Sequence, residues 1–350
     1  MPESTPRMSP ATLHDVARVA GVSLATASRA LNGSTRKVND EYRRRVLDAA
    51  RDLNYSPNLS AQAVARGGSS TIVLIVGDIT DPYFSSIAAG VLRRAEEARL
   101  IVTIGVSGRS AARELELVQA TRGQRPRAIL LAGSRYVGGE FSKALSDELA
   151  VYESMGGRVV VVSQAELPFD TVLLENFEGA RDLAHALVAQ GCRRFGAITA
   201  DNTLMTSRDR LAGFAAGLRD HGMQLDNDGV EEAEFTRDGG YEAARRLYQR
   251  DGVRGLDVIF AANDVMAIGA MTALRDAGLK LPDDISIAGF GDIATAQDVG
   301  LTTVRVPIEE LGVSAVEIAL TSTDKHTQST LTTSVVLRSS TPPVDPTVNR

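Results

Sequence analysis

The first apolar residues of the chain repeat with the period of a helix. They fall at positions i, i+3, i+4 and i+7 and share one face: Leu13, Val16, Ala17 and Ala20. Thr12 and Asp15 have the spacing of a capping box, in which each side chain bonds a free backbone N–H at the helix start. Gly21 suits the left-handed residue that ends a helix. The pattern predicts a short helix between Thr12 and Gly21.

Two more helices follow, with the spacing of a helix-turn-helix. Ser23 is a candidate N-cap, and the short Gly21-Val22 connection makes the first two helices cross steeply. The inner face of the second helix carries Ala27, Ala30 and Leu31. Its outer face carries Leu24, Ala25, Ser28 and Arg29. Asn39 is a candidate cap for a third helix, Asp40 to Leu53, whose apolar positions close a small core: Tyr42, Val46, Ala49 or Ala50, and Leu53.

The outer face of the second helix is the candidate DNA-reading surface. A helix-turn-helix places this helix in the major groove, where an arginine can form two hydrogen bonds with guanine. Arg29 is therefore the candidate for direct readout, while Leu24 and Ala25 offer apolar contact, for example to a thymine methyl group. The polar groups suited to phosphate oxygens are those of Thr12, Ser23, Ser28 and Asn32. Helix capping alone also accounts for Thr12 and Ser23.

From Thr71 onward, short β-branched runs alternate with amphipathic helical segments. The predicted strands are Thr71 to Val76, Ile101 to Val106, Ala128 to Leu131, Val159 to Val162, Phe195 to Thr199, Val258 to Ala261 and Ile285 to Ala288. This alternation is typical of parallel α/β sheets. Two such sheets predict two lobes, with a ligand in the crevice at the carboxyl ends of the strands.

Candidate ligand-binding groups follow the strands at four places: Asp78 to Phe84, Ser207 to Phe214, Ala261 to Gly269 and Ile287 to Asp292. Tyr83 and Phe84 can present aromatic faces to a ring or sugar, although core packing is the alternative for Phe84. The planar fork of Arg210 suits hydroxyl, carboxylate or phosphate oxygens, and a surface position is its alternative. Asn263 and Asp264 lie at a strand end, where a simple N-cap is the alternative for Asp264.

The N-terminal run strongly resembles the headpiece of the lactose-repressor and purine-repressor family of bacterial transcription regulators. The resemblance covers Ala11 to Gly33 without a gap, and then Leu53-Asn-Tyr-Ser-Pro-Asn58. The alternating core resembles the periplasmic-binding-protein-like core of the same family. The resemblance implies an α/β protein with an N-terminal three-helix helix-turn-helix headpiece and a two-lobed core with parallel sheets. It also implies a homodimer that binds double-stranded operator DNA, usually as a repressor, under control of a small-molecule effector.

Two sets of site residues follow from the residues and this resemblance together. The DNA-binding set is Thr12, Leu13, Ser23, Leu24, Ala25, Thr26, Ser28, Arg29, Asn32, Asn58, Ala61 and Val64. The effector-binding set is Asp81, Tyr83, Phe84, Ser163, Thr206, Arg210, Asn263, Asp264 and Asp292. In its Arg-x-x-Gly-Phe context, Arg210 resembles the effector-binding arginine of the family.

The segment between headpiece and core predicts a hinge helix. A helix of about six residues ending at Gly67-Gly68 is too short to persist alone, so we expect it to order only with DNA and a partner subunit. In the family that it resembles, such helices pair in the minor groove and wedge an apolar side chain between base pairs. Val64 has that position, where the family usually has leucine. A flexible Gly/Ser linker is the alternative.

The predicted domains are a headpiece over 11–57, a hinge over 58–70 and a core over 71–340. Within the core, the predicted lobe one is about 71–163 and 307–325, and lobe two is about 164–303 and 328–340. The tail after Leu337 is rich in Ser, Thr and Pro and has no apolar heptads, so it does not predict a coiled coil that would join two dimers.

Three positions depart from the pocket of the family. Gly291 stands where an acid is common, Ser163 where a larger polar group is common, and Val306 where the residue is often polar. These departures make the pocket less polar than a typical sugar site. We still expect a sugar or polyol as effector, because Arg210, Asn263 and Asp292 are present.

The charge distribution agrees with DNA contact at one end only. The net charge is -6, but residues 1–66 hold ten Lys or Arg and six Asp or Glu, a balance of +4, and the remainder holds 28 and 38, a balance of -10. A single cysteine, Cys192, excludes an internal disulfide, and the scattered histidines predict neither metal nor cofactor. The chain has no run of about 18 apolar residues and no secretory signal in Met1 to Pro10, which predicts a cytoplasmic protein without membrane contact.

Two other classes of protein share parts of this pattern. Gly289 to Ala294 fits the dinucleotide fingerprint G-x-G-x-x-A, but the following Thr295 to Gly300 is a poor helix, and the fingerprint requires one. A transporter's solute-binding protein has the same two-lobed core, but it needs an export signal and no basic headpiece. We therefore predict a regulator and not an enzyme.

Overall fold

A computed structural model describes residues 11–32, 38–56, 69–133, 135–138, 141–225, 227–251, 253, 255–321 and 325–343. The chain divides into two compact units, residues 1–69 and residues 70–350. Across the described ranges, no helix is both long enough and apolar enough to cross a bilayer.

The first unit contains the three predicted helices: α1 (Leu13–Ala20), α2 (Leu24–Asn32) and α3 (Asp40–Asp52). The predicted capping box is confirmed, since the Asp15 N–H donates to Thr12 Oγ1 and the Thr12 N–H donates to Asp15 Oδ2. Gly21 ends α1 in the left-handed region, with φ +61°. The buried core consists of short side chains: Val16, Ala17, Ala20, Ala27, Ala30, Val46, Ala49 and Ala50.

Tyr42 is the exception in this core, and its predicted core position is wrong. The side chain is exposed and its ring lies beside the guanidinium of Arg45. The helices meet around Val46, Ala49 and Ala50, so the first turn of α3 lies beyond the packed region.

The second unit is built on two six-stranded sheets. Its strands are β1 (Thr71–Val76), β2 (Ile101–Val106), β3 (Ala128–Ala132), β4 (Arg158–Ser163), β5 (Asp170–Leu174), β6 (Phe195–Thr199), β7 (Val230–Glu232), β8 (Val258–Ala261), β9 (Ser286–Gly291), β10 (Thr302–Arg305), β11 (Gln328–Leu331) and β12 (Ser334–Val336). The strand orders are β11-β5-β4-β3-β1-β2 and β12-β10-β9-β8-β6-β7. Every pairing is parallel except that of β10 with β12.

Helices cover both sheets. They are α4 (Pro82–Glu97), α5 (Ala111–Arg122), α6 (Ser142–Ser154), α7 (Asn176–Ala189), α8 (Met205–Arg219), α9 (Arg237–Asp251), α10 (Asp264–Asp276), α11 (Ala294–Asp298) and α12 (Ile308–Leu320), with a short 3-10 turn at Asn227–Gly229. The central strands β3 and β8 are fully buried because helices pack on both faces, which explains their continuous apolar sequences.

The predicted lobe boundaries shift in the structure. β5 pairs with β4 and β11 pairs with β5, so the first lobe extends past residue 163 to Leu174 and returns as far as Leu331. Sequence reading missed β5 and β11 because they are short and partly polar, and strands of this kind are fixed by pairing rather than by local propensity. The chain passes between the lobes three times, after β5, after β10 and after β11.

Candidate functional site: the helix-turn-helix surface and the interlobe cavity

The outer side of α2 is accessible, as predicted. Leu24 and Ala25 are exposed, while Thr26, Ser28 and Arg29 are partly exposed. The structure therefore brings the predicted reading residues to one side of α2. Four members of the predicted DNA-binding set lie outside the described part of the chain, wholly or in their side chains: Asn32, Asn58, Ala61 and Val64.

The hydroxyl groups at the helix starts serve as caps. The Thr12 hydroxyl donates to Asp15 Oδ2 at 2.7 Å, and hydrogen bonds from Thr12 and Arg18 lower the pKa of Asp15 to about 2. Ser23 Oγ accepts the Thr26 N–H at 3.2 Å and shares a hydrogen bond with the Thr26 hydroxyl. Capping thus explains Thr12 and Ser23 within the headpiece, and their phosphate contacts stay a prediction.

The second unit encloses a cavity of about 360 Å³ between its lobes. Eight of the nine predicted effector residues line it: Asp81, Tyr83, Phe84, Ser163, Thr206, Arg210, Asn263 and Asp264. They converge because parallel strands of each sheet end at this crevice. Phe84 is buried, as its core alternative required, and nevertheless borders the cavity.

Arg210 on α8 is a buried cation in the wall of the cavity. Its Nε donates to Asn176 Oδ1 and its Nη1 to the Ala262 carbonyl, both at 2.8 Å. The guanidinium carbon lies 3.9 Å from the centre of the Phe290 ring, a cation–π contact. Burial lowers the pKa of Arg210 to about 10, so the side chain keeps its charge at neutral pH. A fixed, charged donor in a cavity suits ligand hydroxyl or carboxylate oxygens.

Asn263 and Asp264 begin α10 with different roles. Asn263 is the N-cap, because its Oδ1 accepts the Met266 N–H at 2.8 Å. Asp264 accepts the Thr303 hydroxyl at 2.5 Å and the Ile293 N–H at 3.0 Å, so the N-cap alternative for Asp264 is wrong. Burial raises the pKa of Asp264 to about 6.

Asp292 does not line the cavity, which corrects its predicted place in the effector set. Its carboxylate is buried between Arg305 and Arg338, with an N–O distance of 2.6 Å to each. Gly291 and Asp292 both have positive φ, +145° and +56°, and this turn brings the carboxylate to the two guanidinium groups. Asp292 therefore holds the end of β9, while its neighbours Gly291 and Ile293 border the cavity.

Arg109, which sequence reading missed, joins the two lobes. Its Nη2 donates to Asp81 Oδ2 at 2.8 Å and its Nη1 to the Phe235 carbonyl at 2.7 Å. Burial raises the pKa of Asp81, although Arg109 acts in the opposite direction. The signal was the position of Arg109 in the Ser107-Gly-Arg loop directly after β2, since strand ends border the crevice.

A second contact between the lobes lies at the loop after β3. Tyr136 and Leu204 form an isolated antiparallel bridge, with the Val137 N–H donating to the Thr203 carbonyl at 2.8 Å. Gln164 adds to this contact, because its Nε2 donates to the Thr206 hydroxyl at 2.8 Å. These contacts between the lobes are separate from the Arg210 group, by which we mean Arg210 with Asn176, the Ala262 carbonyl and Phe290.

Comparisons with known proteins agree with both units. Residues 12–58 match the family described as bacterial regulatory proteins, lacI family, and residues 184–341 match a periplasmic binding protein-like domain. The transcriptional regulator GalS of Salmonella typhimurium is 34% identical over 314 residues, which are 88% of this chain and 89% of that protein.

Two solved structures show the same architecture. The transcriptional regulator CelR in complex with cellobiose is 27% identical, with a TM-score of 0.68 over 94% of this chain and 99% of that one. The lac repressor dimer bound to operator and the anti-inducer ONPF is 24% identical, with a TM-score of 0.82 over 96% of this chain and 100% of that one. Both solved structures thus resemble this chain over the helix-turn-helix unit and over the two-lobed core with parallel sheets.

Proposed function

The chain belongs to the lacI family of bacterial regulatory proteins, and from that premise we propose that it is a transcriptional repressor whose affinity for operator DNA is controlled by a sugar or polyol. One observation carries the proposal: a chain with an accessible α2 also encloses a cavity around a buried, charged arginine, Arg210. DNA recognition and effector binding are therefore assigned to separate units.

For DNA binding, α2 inserts into the major groove with Arg29 directed at a guanine. The positive balance of residues 1–66 supplies the electrostatic attraction to phosphates, which falls as salt rises. Two headpieces of a dimer then read a pseudo-palindromic operator, with the hinge segments at its centre.

A sugar or polyol suits the cavity because fixed polar groups and aromatic side chains line it together. Arg210, Asn263 and Asp264 offer donors and acceptors, while aromatic side chains supply flat apolar surface. CelR, a structural relative, was solved with cellobiose, which supports the same effector class here.

The dimer forms through the first lobe. β2 is an edge strand, and three of its apolar side chains are exposed: Ile101, Ile104 and Val106. Leu92 on the adjoining α4 is exposed as well. An edge strand with exposed apolar side chains is a surface that proteins normally cover, and a second copy of the chain is the occupant that an operator-binding regulator requires.

The effector acts by changing the relation between the lobes. Three chain crossings connect them, and Arg109 and Gln164 hold them together across the cavity. A ligand that favours one arrangement of the lobes by about 1–3 kcal/mol gives a useful switch. That arrangement reaches the DNA through the hinge segments.

Gel shift against genomic fragments tests this function directly. The purified dimer should retain a small set of promoter fragments over random duplex at physiological salt, and one sugar or polyol should change that affinity at least fivefold, as about 1 kcal/mol of coupling requires. Equal binding to all fragments, with and without the sugars, contradicts the proposal.

A further inference from the structure

The cavity wall contains a buried ion pair that no part of the proposed mechanism uses. Arg135, in the loop after β3, donates from Nη1 and Nη2 to the two carboxylate oxygens of Glu114 on α5, at 2.7 and 2.6 Å. Both residues are more than nine-tenths buried, yet both line the cavity. Taking two charges out of water is costly, so further hydrogen-bond partners for the pair are favourable.

The pair has hydrogen-bonding capacity left over. Arginine has five N–H groups; Arg135 gives two to Glu114 and its Nε–H to the Gly133 carbonyl, and among the described residues one N–H on each terminal nitrogen has no further acceptor. The carboxylate oxygens of Glu114 can likewise accept more than one hydrogen bond each. The pair thus offers a donor beside an acceptor without a net charge, and this suits two neighbouring hydroxyl groups of a neutral ligand.

Two aromatic residues close to Arg135 in sequence also line the cavity. Tyr136 follows Arg135 directly, and Phe141 begins the turn into α6; their side chains are 37% and 36% exposed. Exposed aromatic faces beside fixed polar groups are the arrangement that binds amphipathic rings.

These groups are additional to the Arg210 group, which has its own partners in Asn176, Ala262 and Phe290. A cavity of about 360 Å³ lies within the range of about 300–1,000 Å³ that is typical of sites for drug-sized ligands. Two sets of polar groups in one cavity of this size favour a ligand with two rings.

Apart from Arg210, the charged side chains that line the cavity are either paired or negative. Arg109 and Arg135 are both paired with carboxylates, while three further acids, all exposed, line the cavity: Glu166, Asp201 and Glu234. Hydrogen bonds from Thr203 lower the pKa of Asp201, which keeps it charged. Like charges at an entrance lower the local concentration of an anionic ligand.

From these observations we infer that Glu114, Arg135 and Phe141 form a second subsite, which binds the second ring of a neutral two-ring glycoside, a disaccharide or an aryl glycoside. The inference rests on the proposed function, because it assumes that the interlobe cavity binds the effector. The first ring then binds beside Arg210 and its partners.

Calorimetry on the full-length dimer tests the subsite with paired probes. The single-ring probes are glucose and galactose. The two-ring probes are cellobiose, lactose, maltose and the p-nitrophenyl β-glycosides of glucose and galactose. Glucose 6-phosphate is the anionic probe. At least one two-ring probe should bind at least tenfold more tightly than its single ring, and glucose 6-phosphate should bind no more tightly than glucose.

Two variants then separate the subsite from a structural role. Arg135→Lys keeps the ion pair but loses the fork, and Phe141→Ala removes an exposed ring; each should erase the two-ring advantage and leave single-ring affinity within about twofold. Phe177→Ala, which removes a similarly exposed ring on α7 outside the cavity lining, should leave the advantage intact.

Several results overturn the subsite. The first is that Arg135→Lys and Phe141→Ala lower the melting temperature but keep the tighter binding of two-ring probes. The second is that wild type binds one-ring and two-ring probes with equal affinity. The third is that no two-ring probe binds. Gel shift on the same preparations distinguishes this failure from failure of the proposed function, since selective promoter binding would persist in the first case and be absent in the second.

Discussion

Arg210 provides the cavity with a fixed, charged hydrogen-bond donor. It is buried, charged, held by Asn176 and the Ala262 carbonyl, and supported by the Phe290 ring. A donor fixed in this way loses little freedom when a ligand binds, which makes it an effective determinant of affinity. The neighbouring Arg208 is partly exposed, pairs with Asp209 and does not line the cavity, so it serves as a matched control.

Arg210→Lys should remove the effector response while operator binding persists. The substitution retains a positive charge but loses the fork, and a hydrogen bond to a charged group contributes about 1.5–3 kcal/mol, or about tenfold to a hundredfold in affinity. Effector titration of the gel shift measures the change, with Arg208→Lys as control. An undiminished response would remove Arg210 from the binding site.

Asp264 should make stability depend on pH in an unusual direction. Burial raises its pKa from 3.8 to about 6, so between these values the folded protein binds more protons than the unfolded chain, and stability falls as pH rises. At 1.36 kcal/mol per pKa unit, the full effect is about 3 kcal/mol above the folded-state pKa. Urea unfolding between about pH 4 and pH 7 should show wild type losing stability relative to Asp264→Asn by up to that amount. A constant difference between the two proteins would contradict the assignment.

Arg29 should read one base pair. Arg29→Ala is expected to cost about 1–3 kcal/mol on the operator and to relax the preference at a single position. Arg51→Ala, an exposed arginine near the end of α3, should leave that preference unchanged and alter only the salt-dependent part of the affinity. Binding to a library of single-base operator variants gives the result, and an equal loss on every variant would refute direct readout by Arg29.

At the scale of elements, capping decides where the headpiece helices begin. The Thr12–Asp15 box satisfies free N–H groups of α1, a helix too short to be stable without caps and packing. Thr12→Ala should destabilise α1 by about 1 kcal/mol and Thr12→Ser much less. Hydrogen exchange on the full chain should then report several-fold faster exchange of the α1 amides in the alanine variant; equal protection in both variants would show that packing alone holds α1.

The elements that sequence reading predicted are those with strong local signals. Apolar strands such as β1, β3 and β8 and the capped helices of the headpiece have such signals. β7, β11 and β12 are three or four residues long and carry polar side chains, and their place depends on strands far away in the chain. The lobe boundary shifted because two such weakly signalled strands, β5 and β11, join the first sheet.

At the scale of the whole molecule, the proposed function requires two copies of the chain. The exposed apolar side chains of β2 should be covered in the dimer, so Ile104→Arg is expected to weaken self-association by at least tenfold, because it buries a charge without a partner. Val151→Arg, at an exposed position on α6, should not change it. Analytical ultracentrifugation across a concentration series measures both. A dimer that is unaffected by Ile104→Arg would place the interface elsewhere.

The sequence by itself determined the helix caps, the helical and strand periods and the positive charge balance of residues 1–66; together with the family resemblance it also pointed to eight residues that line the cavity. Those features depend on neighbours a few residues apart, or on the rule that parallel strands end at one crevice. Only the tertiary structure decided which distant groups pair: Glu114 with Arg135, 21 residues apart, and Asp292 with Arg338, 46 residues apart. Such pairs form where packing excludes water, and no local pattern records which opposite charge packing will place beside a given carboxylate.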